Sequence, residues 1–464
     1  MNTFMKLAKT TAAPEQQQQP SLSQPAPLPP ERRKAPRTTP RTWETPPAPV
    51  PAPHLDDYQT IIGAAELDEL HFLAREVKGK AVKMVNSTAV GGGVAEMLNR
   101  LVPLLGELEV TTHWDVITGG NDFFEVTKAF HNALHGAEYE LTRAAKDIFL
   151  AYNEQNRQRM QFTEDLVVIH DPQPAALIES RKNKDKDKSQ APSAHWVWRC
   201  HIDLSNPNAQ VWEFLRPFIE KFDAAIFSSQ SFARRLPIPQ YLFYPCIDPL
   251  SEKNKELDDT FVQKVCDEFG VDRSRPVVTQ VSRFDRLKDP VGVVQAFKMA
   301  RKYVDCQLVL AGGGASDDPE GALVLKEVKE AAAADPEIII LDLPPWCALE
   351  INALQRASTI VVQKSIKEGF GLTVTEALWK GKPAIAGAVG GIPNQIIHKL
   401  TGMLVHSVEG CAYQIRYLLT HPEFALQLGR NGHEHVKENF LITTNVRRWL
   451  LLLRVLLRDD RLKT

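Results

Sequence analysis

Short apolar runs that alternate with helix-patterned stretches constrain this chain more than any other feature. Ala81–Val85 (AVKMV), Leu166–Ile169 (LVVI) and Ala224–Ser228 (AAIFS) form a first series. A second follows a polar connection at Leu250–Leu257. It comprises Val277–Val281 (VVTQV), Gln307–Ala311 (QLVLA), Ile338–Leu341 (IIIL), Thr359–Val362 (TIVV) and Pro383–Ala386 (PAIA). Continuous apolar runs of this length read as strands buried on both faces, and helices between them imply parallel pairing. Two such series predict an α/β chain with two Rossmann-like, doubly wound parallel-sheet domains. The length of 464 residues suits two domains with additions. We place the first domain at residues 58–255 and the second at 256–439. The most apolar run, Trp449–Leu457, is broken by Arg454 and predicts a buried helix face rather than a membrane span.

Residues 1–57 differ from the rest. The first 55 residues hold 13 of the 32 prolines, with a glutamine run at Gln16–Gln19 and few large apolar side chains. Such a segment cannot bury enough surface to offset its ordering entropy, so a disordered tail is expected. Its basic cluster Arg32-Arg33-Lys34 reads either as a docking or targeting element or as a solvated stretch. The tail has no apolar core of a secretory signal, and its prolines oppose the amphipathic helix of a transit peptide. A cytoplasmic chain is therefore expected. Ser180–Gln190 (SRKNKDKDKSQ) predicts a mobile, charged surface loop. The formal net charge of -2 gives no general attraction to nucleic acid or to a membrane surface. The six cysteines are scattered, without a CxxC pair or zinc-site spacing; buried free thiols and no bound metal are expected.

The chemistry-bearing residues lie where the predicted strands end, which is where open parallel sheets collect ligands. Gly91-Gly92-Gly93 follows the first run and precedes a helix expected from about Val94 to Leu108. Glycines there let backbone N–H groups approach an anion, with Gly92 and Gly93 nearest the helix; a tight turn accounts for them equally well. Arg283 and Lys288 follow Val277–Val281. A guanidinium fork and a compact ammonium suit a diphosphate leaving group that no metal ion neutralises. Glu368-Gly369-Phe370-Gly371-Leu372 follows Thr359–Val362 and opens a helix containing Glu376. The glycines permit close approach, and the helix N–H groups point at the diphosphate. Glu376 suits the two hydroxyls of a ribose, and Glu368 lies nearer the sugar. Helix capping is the bland alternative for the two glutamates.

The E-x7-E spacing, the upstream R-x4-K and the two Rossmann-like halves resemble the retaining GT-B glycosyltransferases of family 4. Four further segments are similar to the trehalose glycosyltransferring synthases, with retaining trehalose phosphorylases as near relatives. They are Asn86-Ser87-Thr88 with Gly91–Glu96, Phe123–Asn132 (FFEVTKAFHN), His170–Pro174 (HDPQP) and Trp198–Pro207 (WRCHIDLSNP). The resemblance spans roughly residues 60–460; the tail and the 180–190 insert fall outside it. It implies a GT-B fold in which the helix at 440–464 returns to the first domain. It implies that Arg283 and Lys288 hold the diphosphate and that Glu376 binds the ribose. Glu368 and the backbone of Gly369–Leu372 would hold the donor glucose, with His170 near the reacting carbon. Asn86, Glu96, Arg199, His201 and Asp203 become acceptor-side candidates, although the WRCHID segment could equally be an interdomain support.

The implied reaction joins the glucosyl unit of a nucleoside diphosphate glucose to free glucose, giving α,α-trehalose with retention. The partners are then small molecules and, as the family suggests, a second copy of the chain. Nothing near Asp342-Leu343-Pro344, the expected base pocket, selects a base. A trehalose phosphorylase is the nearest rival. A non-catalytic sugar-nucleotide sensor with an interaction tail is the rival of another class.

Overall fold

The structure, a computed structural model, describes residues 52–89, 92–181, 194–313, 319–333 and 335–458. Nearly all of the expected tail lies outside these, as do Gly91 and residues 182–190 of the charged insert. The last residues assigned to the tail are folded. Leu55–Tyr58 make one 3-10 turn, the Leu55 N–H donates to Glu107 at 2.8 Å, and the buried Tyr58 hydroxyl donates to Asp248 at 3.0 Å. Composition placed the boundary too late because two apolar residues suffice to anchor a short turn.

Two six-stranded, wholly parallel sheets carry the chain. The first holds β1 (Ala81–Asn86), β2 (Thr111–Val116), β3 (Leu166–His170), β4 (His195–Cys200), β5 (Ala224–Phe227) and β6 (Gln240–Leu242), in the order β2-β1-β3-β4-β5-β6. The second holds β7 (Val277–Val281), β8 (Gln307–Gly312), β9 (Ile338–Asp342), β10 (Ile360–Gln363), β11 (Ala384–Gly387) and β12 (Met403–Val405), in the order β12-β11-β10-β7-β8-β9. Every strand expected from an apolar run is present. Four were not foreseen, for physical reasons. β2 (TTHWDV) is an edge strand with no fully buried residue, so it shows no apolar run. β4 (HWVWRC) is buried throughout but carries His195 and Arg199. β6 and β12 have three residues each, too few to establish a period.

Helices cover the sheets and set the strand ends. Gly92–Glu107 begins two residues earlier than expected, so Gly92 and Gly93 are its first turn rather than a preceding loop. Asn208 opens the helix Ala209–Ile219; its Oδ1 accepts the N–H groups of Gln210 and Val211, while its Nδ2 donates to Tyr139 O. Asn208→Ala is expected to lower unfolding stability by about 1 kcal/mol, read from the urea midpoint at constant m.

The chain crosses between the sheets twice, and the crossings are hydrogen-bonded to each other. The Ile247 N–H donates to Phe440 O, and the Ile442 N–H donates to Ile247 O, both at 2.9 Å. The final helix, Ile442–Arg458, then packs on the first-domain helices Ala64–Arg75 and Gly92–Glu107. Trp449 meets Phe243 edge-on at 5.2 Å, and Arg447 pairs with Glu69 at 3.1 Å. All six cysteines are buried free thiols.

Candidate active site

Each sheet reverses its winding at one pair of neighbouring strands: β1 and β3 in the first, β7 and β10 in the second. Connections there leave toward opposite faces, which opens a crevice at the carboxyl ends of the strands. Asn86 ends β1 and Gly92 follows it, and His170 ends β3. Arg283 and Lys288 follow β7, and Glu368 follows β10. The sequence candidates thus gather at two switch points.

In the second domain, two caps fix the segment after β7. The Asp285 carboxylate accepts the Leu287 N–H at 2.8 Å. Asp289, at φ 50, accepts the Gly292 N–H at 3.0 Å and opens the helix Pro290–Arg301. Between them Lys288 turns toward β10. Its Nζ donates to Glu368 Oε2 at 2.6 Å, and Ser365 Oγ donates to the same oxygen at 3.2 Å. Arg283 stays exposed, 3.3 Å from Asp285. Sequence reasoning gave Arg283 and Lys288 one diphosphate to hold; without a ligand, Lys288 is paired with Glu368.

The Glu368–Leu372 segment is held from behind. Gly371 sits at φ 85, which glycine adopts without strain, and caps the helix Leu372–Trp379. The Gly391 N–H donates to Gly369 O at 3.0 Å, and the Gln395 amide donates to Phe370 O. A Cβ on Gly390 would overlap the Glu368 carbonyl oxygen. This Ala388–Gly391 support escaped sequence reasoning, although the pair Gly390-Gly391 just after a strand was a visible signal. Glu376 lies one turn into the helix and is buried. Burial pushes its carboxyl above the usual range, opposed by the charges of Lys253 and Lys380.

In the first domain, His170 is fully buried, with Nδ1 3.0 Å from His201 Nε2 and the two rings nearly parallel. Burial, reinforced by the Arg199 charge, pulls His170 down to about 3 and His201 well below the usual histidine value. Both rings are therefore neutral near pH 7. His170 Nε2 is buried without a hydrogen-bond partner among the described residues. Asp171, at φ 64, accepts the His201 N–H at 2.7 Å, and burial lifts its carboxyl to about 6.

The acceptor-side candidates separate. Arg199 is buried and donates to Phe243 O at 2.6 Å and Ser228 Oγ at 3.2 Å, so it braces β4 against the chain beyond β6. Asn86 uses its amide on Thr88 O and accepts the Trp114 N–H, which fixes the turn after β1. Glu96 pairs with Lys253 at 2.8 Å, and its charge acts on Glu376. Residue type and motif say that a polar group is needed, not which neighbour it meets. Asp203 accepts the Ser205 N–H at 2.8 Å and acts on His135, so with His201 it stays by the cleft.

The two halves meet closely. A Cβ on Gly93 would lie 3.6 Å from Leu372, and one on Gly369 would lie 3.6 Å from His201 O. Lys367 Nζ donates to His135 O at 2.8 Å across the cleft. His135 feels Asp203, Lys367, Glu368 and Lys288. His131 packs 4.8 Å from His135 and is pulled down to about 4, chiefly by burial. Neither His135 nor Lys367 was singled out from the sequence. The one signal was the spacing of His131 and His135, four apart on one helix face.

A neutral histidine pair thus faces a glycine loop, a lysine–glutamate pair and a helix N-terminus. The family described as trehalose synthase, N-terminal domain, matches residues 84–234, and glycosyl transferases group 1 matches residues 265–435. Trehalose synthase from Thermococcus litoralis is 44% identical over 405 residues, covering 86% of this chain and 96% of that protein. The chain belongs to the trehalose synthase family. It is a glycosyltransferase of trehalose metabolism. Trehalose synthase from Rubrobacter xylanophilus is 42% identical over 394 residues, covering 83% of this chain and 93% of that protein. Trehalose phosphorylase from Pleurotus pulmonarius is 30% identical over 468 residues, covering 88% of this chain and 62% of that protein. Among solved structures, the α,α-trehalose-phosphate synthase (UDP-forming) of Burkholderia xenovorans aligns with a TM-score of 0.61 at 13% identity. That match covers 81% of this chain and 100% of that one. Sucrose-phosphate synthase from Thermosynechococcus elongatus aligns at 0.61 and 18% identity, covering 82% of this chain and 100% of that one. These likenesses show the GT-B fold. Among the described residues, no helix is long and apolar enough to cross a membrane.

Proposed function

We propose that this member of the family transfers glucose from a nucleoside diphosphate glucose to C1 of free glucose, forming α,α-trehalose with retention. The observation that carries the reading is the Lys288–Glu368 pair at the β7–β10 switch point, beside the N-terminus of a helix that carries Glu376 one turn on. A nucleoside diphosphate sugar asks for these three things in that order: a carboxylate for sugar hydroxyls, cations and N–H groups for the diphosphate, and a carboxylate for the ribose diol.

The bond from the donor C1 to the phosphate oxygen breaks while the acceptor oxygen bonds to C1 on the same face. The acceptor's proton passes to the departing phosphate oxygen. Lys288 has three N–H bonds; one holds Glu368, and the others are available to the growing phosphate charge, joined by Arg283 and the Leu372 helix N-terminus. A neutral His170 suits a sugar hydroxyl at its buried Nε2, where an imidazolium beside Arg199 would be disfavoured. His201 orients His170, and Asp171 holds the backbone of His201. His201, Asp203 and His135 line the acceptor side. No bound cofactor or metal enters the scheme, because protein cations carry the leaving-group charge.

The test is direct. The protein is incubated with glucose and UDP-, ADP- or GDP-glucose, and in parallel with glucose and glucose 1-phosphate, and trehalose is assayed. Trehalose from a nucleotide sugar is the expected outcome. Trehalose from glucose 1-phosphate alone overturns the reading in favour of phosphorolysis.

A further inference from the structure

The chain that carries Glu368 also reaches across the cleft one residue earlier, in a contact that the scheme above leaves unused. Lys367 Nζ donates to His135 O at 2.8 Å. His135 follows the first-domain helix Asn121–Leu134, so its carbonyl belongs to the end of that helix, where the ladder runs out of donors. The neighbouring carbonyls are met from within the first domain. His131 O accepts the His135 N–H at 3.1 Å, Asn132 O accepts the Ala137 N–H at 3.0 Å, and Ala133 O accepts the N–H groups of Gly136 and Asn208, both at 2.9 Å. The His135 carbonyl is met by a cation from the other domain, and the negative end of a helix favours a cation there. Gly136, at φ 94, leaves room for it: a Cβ there would lie 3.3 Å from Lys367 Nζ and 2.8 Å from Asn206 O.

Both ends of this contact are anchored in the site. On the donor side, the Ile366 N–H donates to Leu287 O at 2.8 Å, and the next residue, Lys288, holds Glu368. The backbone that carries Lys367 is therefore fixed to the donor grip. On the acceptor side, Asn206 and Asn208 continue the chain from His201 and Asp203 and lie against the same helix end. A second close approach accompanies the first, since a Cβ on Gly369 would lie 3.6 Å from His201 O. Lys367 itself is exposed, so water can replace its partner when the cleft opens.

We propose that Lys367 is a positioning residue that latches the donor loop to the acceptor side when the two domains close. This rests on the reading of the cleft above as the place of glucosyl transfer. With the latch made, Glu368 and the acceptor side keep one spacing and bulk water is kept out. Water that took the acceptor's place would bond to C1 as the bond from C1 to the phosphate oxygen breaks, and would pass its proton to the departing phosphate, releasing glucose. The latch therefore acts on the rate of transfer and on the partition between trehalose and hydrolysis. It acts less on donor affinity, because the diphosphate and ribose contacts lie within the second domain.

Lys367→Met and Lys367→Arg are compared with the wild type, with a thermal melt of each. For the nucleotide sugar that the wild type uses, both the nucleoside diphosphate released and the trehalose formed are counted. Lys367→Met is expected to lower the trehalose kcat about tenfold, to release more nucleoside diphosphate per trehalose, and to leave the donor KM within about twofold. Lys367→Arg restores most of the loss, because a guanidinium also donates to a carbonyl. The melting points stay with the wild type, since the side chain is exposed. A wild-type kcat in Lys367→Met overturns the proposal, and so does a lower kcat at an unchanged product ratio. A loss that lies chiefly in the donor KM, or one equally large in Lys367→Arg, overturns it too. A wild type that makes trehalose from glucose 1-phosphate alone overturns the proposed function; the same comparison, with phosphate counted in place of nucleoside diphosphate, then decides the latch separately. A wild type inactive with both donors overturns the two together.

Discussion

Lys288→Ala is expected to lower kcat/KM by about 10^3-fold, at the upper end of what one lost transition-state donor costs. Lys288 lies at the switch point, is mostly shielded from water, and is held 2.6 Å from Glu368. A charge fixed there stabilises a departing phosphate without reorganising when the bond breaks. Arg283 offers the contrast: it is 61% exposed and pairs with Asp285 at 3.3 Å. Solvent screens such a group, so Arg283→Ala is expected to cost about tenfold. Steady-state kinetics on both variants checks the ranking, and a larger loss in Arg283→Ala would reverse the assignment. The lysine variant also leaves the Glu368 carboxylate with Ser365 as its one remaining side-chain partner of the pair described above. Combining Lys288→Ala with Glu368→Gln should recover lost stability and none of the lost activity. Recovery of both would mean that the pair is structural.

Gly390→Ala carries the second large effect, although the residue has no functional group. Gly390 sits at φ 55, and a Cβ there would run into the carbonyl oxygen of Glu368. The overlap is with backbone, so no side-chain rotation relieves it. The Glu368–Leu372 segment must shift, and with it the carboxylate that Lys288 holds. A displacement near 1 Å at a reacting site costs about 10^2-fold, and kcat is expected to fall by that factor. The variant should also lose about 1–3 kcal/mol of stability from the strained backbone. Gly381→Ala is a control: it shares a positive φ of 69, and nothing lies within 4 Å of its Cβ position. It should lose stability by a similar strain and keep its kcat. Equal kcat in the two variants would contradict the clamp.

The strands with continuous apolar runs were legible because full burial on both faces writes itself into consecutive residues. β2 was not, since an edge strand with half-exposed residues leaves no such mark. Nor was β4, since burial of Arg199 depends on Phe243 O and Ser228, which are distant in sequence. The donor loop shows the same division. Glu368, its glycines and Glu376 could be read from spacing, because a glycine loop opening a helix is a local object. The clamp behind it, the Lys288 partner and the lysine that crosses from Lys367 to His135 are all non-local.

The sequence by itself determined two doubly wound α/β halves and a glycine-rich helix start flanked by carboxylates, since periodicity and loop chemistry act over a few residues. Only the tertiary structure decided the order of strands, and with it the switch points that bring the β1, β3, β7 and β10 ends together. It also decided that Lys288 meets Glu368 and that Glu96 meets Lys253. Charge pairing is set by distance in space, and distances between residues 80 or more positions apart are fixed only when the sheets and the hinge have folded.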